Sequence, residues 1–308
     1  MLRVQPNRVD ALFSANFSYP CWPIAHYATP DALRSIINNR TLRFTDCQFF
    51  EDRTEFIHAL DILSVAMDEV RGRYEPEFLA CLYADNRPIY ETRRIITSER
   101  VGRDGIINID SEELSCRHFV FCTTALEDDV YLWDNYSGRD GFRLSLDLPA
   151  LRFWFSPEGA NRFENCIFEF GRVLYDDRPK VDLLKDLIAI EHDTWSFMNQ
   201  SPAVVQRDFE GHFNKIRLLI KRPEFSPEAE IRIVASIPTA NLRQDIVLNS
   251  MSYGERDGRP FIDVRFPTES LYSVKAGPAV TEDSLNEAIE LLSQNDVLCD
   301  VERSRIAP

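Results

Sequence analysis

No stretch of this sequence runs to about 18 consecutive apolar residues, so no membrane-spanning helix is read from it. The opening residues, MLRVQPNRVDALFSANFSYP, hold no continuous apolar segment, and no secretory signal is expected there. The seven cysteines, at positions 21, 47, 81, 116, 122, 166 and 299, form an odd count without C-x-x-C spacing. That pattern disfavours a disulfide framework or a zinc knuckle and fits reduced thiols in a cytoplasmic protein. Basic residues are in deficit: 35 Lys and Arg stand against 50 Asp and Glu, a net charge of −15. General electrostatic binding to nucleic acid is therefore not expected, although net charge leaves room for a local basic pocket. Also missing are G-x-G-x-x-G, a Walker-type loop, a G-x-S-x-G elbow and H-E-x-x-H, which removes the common dinucleotide, phosphate, hydrolase and metalloprotease signatures.

What is present is globular in composition, with 44% hydrophobic residues and 28% charged. Glycine is scarce and proline thinly spread, and no repeat, low-complexity tract or linker is visible, so one domain over residues 1–308 is the default. Thr29, Pro30 and the stripe Leu33, Ile36, Ile37 predict a capped helix ending near Asn39, followed by the strand TLRFTD. Phe56, Leu60, Leu63, Val65 and Met67 suggest an amphipathic second helix. The polar region 83–110 reads as an insertion or loop. HFVFCTT reads as a buried strand, EDDVYLWDNYSG as a short helix closed by Gly138, and GFRLSLDL and CIFEFGRVLYDD as strands. Two long helices precede SPEAEIRIVAS, and the last segment reads as strand, turn, helix capped by Thr281, and strand, with Leu285, Ile289 and Leu292 buried. The fold class is α+β, with small mixed or antiparallel sheets flanked by helices.

Few residues suggest chemistry. Cys116, His118 and Cys122 have poor metal-ligand spacing inside an apolar strand, and Glu191, His192 and Asp193 are consecutive on a helix and cannot all face one ion. No metal site is expected. His26 and Tyr27 stand where a strand enters a helix; they suit either a polar ligand or ordinary packing. Tyr131, Trp133 and Tyr136 offer faces for a heterocycle, or core packing. SPEAEIRIVAS begins like a helix and continues like a strand. As a strand it would put Glu228, Glu230 and Arg232 on one face, either as a site or as a solvated ion pair.

Taken in order, HYATPDALRSIINNRTLRFTD, FFEDRTE, LWDNYSGRDGFRLSLD, EFSPEAEIRIV and VKAGPAVTEDSLNEAIELL resemble a widespread bacterial family known as a domain of unknown function, over about residues 24–306. Region 83–110 lies outside the pattern. In FFEDRTE the family's asparagine and proline are replaced by Glu51 and Arg53, while Phe50, Asp52 and Glu55 match. The skeleton resembles, more distantly, the ADP-ribosyltransferase fold. That resemblance implies a cleft that binds NAD as substrate, with Glu230 and Glu228 catalytic and with His26, Tyr27, Tyr131, Trp133, Tyr136 and Arg232 binding NAD. It implies an ADP-ribosyltransferase in bacterial defence or toxicity that modifies a macromolecular or small acceptor without a metal. An NAD glycohydrolase, or a non-catalytic module that binds a nucleotide or a nucleic-acid end, are the alternatives.

Overall fold

The structure, a computed structural model, describes residues 8–18, 23–50, 55–82, 92–101, 107–156, 166–198, 200–242 and 251–307. Glu51, Asp52 and Arg53 of the FFEDRTE segment lie outside the described residues, as does the side chain of Phe56. The strands are β1 (Ile24–Ala28), β2 (Thr41–Asp46), β3 (Thr92–Val101), β4 (Ile107–Thr124), β5 (Phe142–Leu146), β6 (Ile167–Arg172), β7 (Glu230–Pro238), β8 (Met251–Arg256), β9 (Arg259–Arg265), β10 (Leu271–Ala276) and β11 (Asp300–Arg303). The helices are α1 (Arg8–Phe17), α2 (Pro30–Asn39), α3 (Glu55–Val70), α4 (Pro76–Cys81), α5 (Val130–Leu132), α6 (Leu148–Trp154), α7 (Asp177–Met198), α8 (Pro202–Arg217), α9 (Thr239–Leu242) and α10 (Glu282–Gln294). The fold is mixed α/β, as the sequence reading expects.

In place of small sheets there is one eleven-stranded sheet, ordered β11-β10-β5-β1-β4-β2-β9-β8, with β3 and β7 also on β4 and β6 on β7. Among the described strands only the β10–β11 pairing is parallel. Strand β4 joins these parts because it is long enough to pair along its length with β3, β7, β2 and β1. The expected loop at 83–110 is in part the β3–β4 hairpin, which pairs Thr92 through Val101 with Cys116 back to Ile107.

Local chemistry explains the element ends. Thr29 Oγ1 accepts from the Ala32 amide, Pro30 fills the first turn, and α2 closes on Arg40 in the left-handed region. Thr281 caps α10 in the same way. Leu292 of that helix is buried, but Ile289 is exposed, as is Val65 on α3, so both helical stripes are narrower than the sequence suggests.

One apolar cluster packs α2, α6 and α10 on the sheet through Ile37, Phe44, Leu144, Leu151, Ile233 and Leu292. A second gathers α1, α3, α4, α7 and α8 around Val9, Ala66, Phe78, Leu184 and Phe209. Among the described residues no helix is long and apolar enough to cross a membrane.

Candidate functional site

Strand β4 opens on one edge. Val120 pairs with Thr45 of β2 and Thr124 with Ala25 of β1, but Phe121, Cys122 and Thr123 between them have no strand partner on that side. On the other edge the same residues are fully paired with β7. A cavity of about 550 Å³ lies at this opening, lined by β1, β2, β4, the 130–137 turn, Glu55, Lys221 and the start of β7. That volume suits a nucleotide-sized ligand.

The acidic end of the cavity is built by a turn. Residues Pro223–Glu228 form a 3-10 helix, Ala229 takes φ 42°, and β7 begins at Glu230. Glu228 is therefore not on the same strand face as Glu230, as the period-two reading would have it. The left-handed Ala229 folds the chain back and brings the two carboxylates together. Such a conformation is strained for a residue with a Cβ, and surrounding contacts hold it. Thr124 Oγ1 donates to the Glu228 carbonyl at 2.7 Å and the Ala125 amide donates to the Ala229 carbonyl at 3.0 Å.

Around this turn lies a buried ion cluster. Arg232, 1% exposed, grips Glu230 through Nε (3.0 Å) and Nη2 (2.9 Å), and its Nη1 pairs with Glu55 and donates to the Leu218 carbonyl. Lys221 Nζ lies 2.6 Å from Glu228, 3.6 Å from Glu230 and 4.0 Å from Glu55. Burial alone would raise the Glu230 pKa, but Arg232 and Lys221 outweigh it and hold this carboxyl at about 2. For Glu55 burial prevails, and its pKa rises despite Arg232. Lys221 moves up: burial opposes its charge, and the attraction of Glu230 and Glu55 exceeds that penalty. Burial and then Glu230 push the Cys122 thiol well above its usual value, so it is a protonated hydrogen-bond partner of Glu230. The amide of Glu230 donates to Tyr175 Oη at 2.8 Å.

The aromatic end is carried by the 130–137 turn, whose second half, Trp133–Ser137, is π-helical and ends on left-handed Gly138. Single π turns are frequent at functional sites because they rotate side chains out of the α-helical phase. Tyr131 and Tyr136 stand at the cavity with 36% and 47% of their surface exposed, and Tyr136 donates its hydroxyl to Glu228 at 2.6 Å. Burial and then the Glu228 carboxylate raise the Tyr136 pKa. Gly141 follows because a Cβ there would collide with the Ala28 carbonyl oxygen and Ser137.

His26 bridges the open edge of β4. Its Nδ1 lies 2.9 Å from the Cys122 carbonyl, an acceptor, so Nδ1 carries the proton and Nε2 presents a lone pair. Burial lowers its pKa more than this hydrogen bond raises it, so the ring is neutral at physiological pH, and it packs on Phe121 with centroids 4.5 Å apart. Tyr27 also lines the cavity, and its hydroxyl accepts from the Asp129 amide at 3.2 Å.

Of the residues singled out from sequence, His26, Tyr27, Tyr131, Tyr136, Glu228, Glu230 and Arg232 all line this one cavity. Trp133 does not: it is 0% exposed, packs edge-on against Tyr27 and donates Nε1 to Asp128 at 2.8 Å. Sequence reasoning passed over Lys221, which looks like an ordinary basic residue after a helix, and it treated Glu55 only as a motif position. The motif could have pointed to Glu55; nothing local marks Lys221. His118, once weighed as a ligand, instead bonds Ser236 Oγ at 2.9 Å.

Residues 132–233 match the model of a family described as "Protein of unknown function (DUF2971)". The match holds Trp133, Tyr136, Gly141, Lys221, Glu228, Glu230 and Arg232, while His26 and Glu55 fall outside it. No curated protein and no solved structure matches the chain.

Proposed function

We propose that the cavity binds NAD, breaks its nicotinamide–ribose bond and transfers ADP-ribose to a macromolecular or small acceptor. The supporting observation is that His26, Tyr131, Tyr136, Glu228 and Glu230, which span two hundred positions of sequence, line one cavity. Tyr131 and Tyr136 stack the nicotinamide, and the neutral His26 accepts from a ribose hydroxyl through Nε2. As the C1′–N bond breaks, its electron pair passes to the ring nitrogen and leaves an oxocarbenium-like ribose. Glu230, ionised and fixed by Arg232, faces that developing charge. Glu228 takes the proton from the attacking group, and Lys221 and Tyr136 hold it in place. The reading extends to a role in bacterial defence or toxicity, by analogy with what such transferases do, and to the cytoplasm, on the odd, unpaired cysteine count.

The test is nicotinamide release from NAD by the purified full chain, with cell lysate as a source of acceptors. Glu230→Gln is expected to reduce release by about a hundredfold or more. Release that is equal in the two proteins overturns the assignment of Glu230.

One observation favours a second reading. Both Glu230 oxygens are already engaged by Arg232, and each Glu228 oxygen has its own donor. A cluster so fully satisfied also suits a non-catalytic nucleotide-binding module, for which NAD binds and no nicotinamide appears. Release without modified acceptor would instead mark an NAD glycohydrolase.

A further inference from the structure

The aromatic turn is held from outside the cavity. Asp128 stands in the short connection from β4 to α5 and does not line the cavity. Its Oδ1 accepts from Trp133 Nε1 and from Ser304 Oγ, both at 2.8 Å. Its Oδ2 accepts from the Arg305 amide at 3.0 Å and faces Lys275 Nζ at 3.6 Å. One carboxylate thus joins the 130–137 turn, β10 and the segment after β11. Burial alone would raise its pKa, but the Arg305 amide, Trp133, Ser304 and Lys275 outweigh it and hold this carboxyl below its usual value. The acceptor is therefore ionised, and its bonds are charge-assisted.

The segment that reaches Asp128 is itself fixed. The Ser304 amide donates to the Ala276 carbonyl at 2.8 Å, and Ser304 Oγ accepts from the Ile306 amide at 3.1 Å. Ile306 packs on the cluster of Ala25, Tyr27, Leu132 and Trp133. One residue on from Asp128, Asp129 Oδ1 accepts from the Leu132 amide at 3.2 Å, while the Asp129 amide donates to Tyr27 Oη. The entry of the turn is thus pinned at two successive residues, and Tyr131 and Tyr136 beyond it reach the cavity. Three α-helical residues running into one π turn are too short to hold their own shape, so tertiary ties must supply it. Stacking faces fixed in advance lose little freedom when a ligand binds.

We infer that Asp128 is a positioning residue and that residues 304–306 are the clasp it closes: together they set Tyr131 and Tyr136 in the orientation that takes the ring of the ligand. The identity of that ring rests on the NAD reading; the clasp itself does not. Loss of any one donor leaves the others on the carboxylate, so Asp128 matters more than Trp133, Ser304 or Lys275 taken singly.

The test compares nicotinamide release, melting temperature and amide hydrogen exchange of the full chain in wild type, Asp128→Ala and the milder Asp128→Asn and Ser304→Ala. Asp128→Ala is expected to raise KM for NAD, or Kd where NAD binds without release, about tenfold. Each milder variant should raise it about threefold, and Ser304→Thr should return it close to the wild-type value. A residue that only stabilised the fold would lower the melting temperature and leave KM alone. In a chain carrying both Tyr131→Ala and Tyr136→Ala, Asp128→Ala should add less than about twofold, because the faces it positions are gone. Exchange across residues 130–137 should quicken in Asp128→Ala while that of α10 stays unchanged. A KM equal to that of wild type, or the same rise kept without the two tyrosines, overturns the positioning role and leaves the NAD reading standing. If wild type neither binds nor cleaves NAD, that reading fails and exchange alone decides: quickening confined to the turn upholds the clasp. In either case, exchange that is unchanged or that quickens throughout the molecule overturns it.

Discussion

The hydroxyl of Tyr136 donates to Glu228 across 2.6 Å, tying the exposed aromatic face of the cavity to its acidic end. A ring stacked on Tyr136 and a group placed by Glu228 are thereby held in one geometry. Tyr136→Phe keeps the ring and removes the tie. It is expected to lower nicotinamide release about tenfold with little change in KM, because the lost bond orients Glu228 and leaves the stacking face intact. Tyr136→Ala should raise KM as well. Steady-state kinetics of the two variants separate the roles, and an unchanged rate in Tyr136→Phe would show that the tie is dispensable.

Arg232 is the centre of the ion cluster. Arg232→Met leaves Glu55 and Glu230 buried without their shared partner, and a destabilisation of about 3–5 kcal/mol is expected from broken pairs of this kind. Arg232→Lys should also destabilise, since one ammonium cannot reproduce the fork on Glu230 together with the bonds to Glu55 and Leu218. Urea midpoints at neutral pH measure both losses.

Acid should weaken the fold through Glu230. Its carboxyl is held at about 2, against the 4.5 of an unperturbed glutamate, so the unfolded chain binds more protons across that interval. The stabilisation is complete above the unfolded value and is lost as pH falls toward the folded one, a contribution on the order of 3 kcal/mol. Glu55, raised by burial, acts with the opposite sign. Urea unfolding from about pH 6 down to about pH 3 should therefore show a shallower loss in Glu230→Gln than in wild type. Parallel curves would count against an ionised, stabilising Glu230.

Gly141→Ala places a methyl group against the Ala28 carbonyl oxygen, a backbone atom that cannot swing aside. A cost of about 2–3 kcal/mol is expected, typical of overpacking where the neighbour has little room to move. A melting temperature equal to that of wild type would mean that β1 shifts freely at this point.

Trp133 separates packing from binding. Trp133→Phe gives up the bond to Asp128 and part of the contact with Tyr27, for a loss of about 1–3 kcal/mol. KM for NAD is expected to stay within about twofold, because Trp133 does not line the cavity. A large rise in KM with unchanged stability would return Trp133 to the binding surface.

Whereas β5, which alternates in sequence, is buried on both faces, the capped starts of α2 and α10, the alternation in β2, and the closing of the 130–137 turn at Gly138 were legible in the sequence. Each depends on neighbours within a few residues, through a cap, a period or a left-handed glycine. The chemical types at the site were legible too, since a histidine–tyrosine pair, spaced aromatics and glutamate–x–glutamate–x–arginine keep their identity whatever the fold does. Three things were decided only by the tertiary structure. Ala229 in the left-handed region replaced a simple strand face with a fold-back that joins Glu228 to Glu230. The open edge of β4, left where β1 and β2 diverge, made the cavity. Burial of Arg232 beside two carboxylates drew in Glu55 and Lys221 from distant segments, since each buried charge needs an opposite one within reach and sequence distance does not limit which residue supplies it.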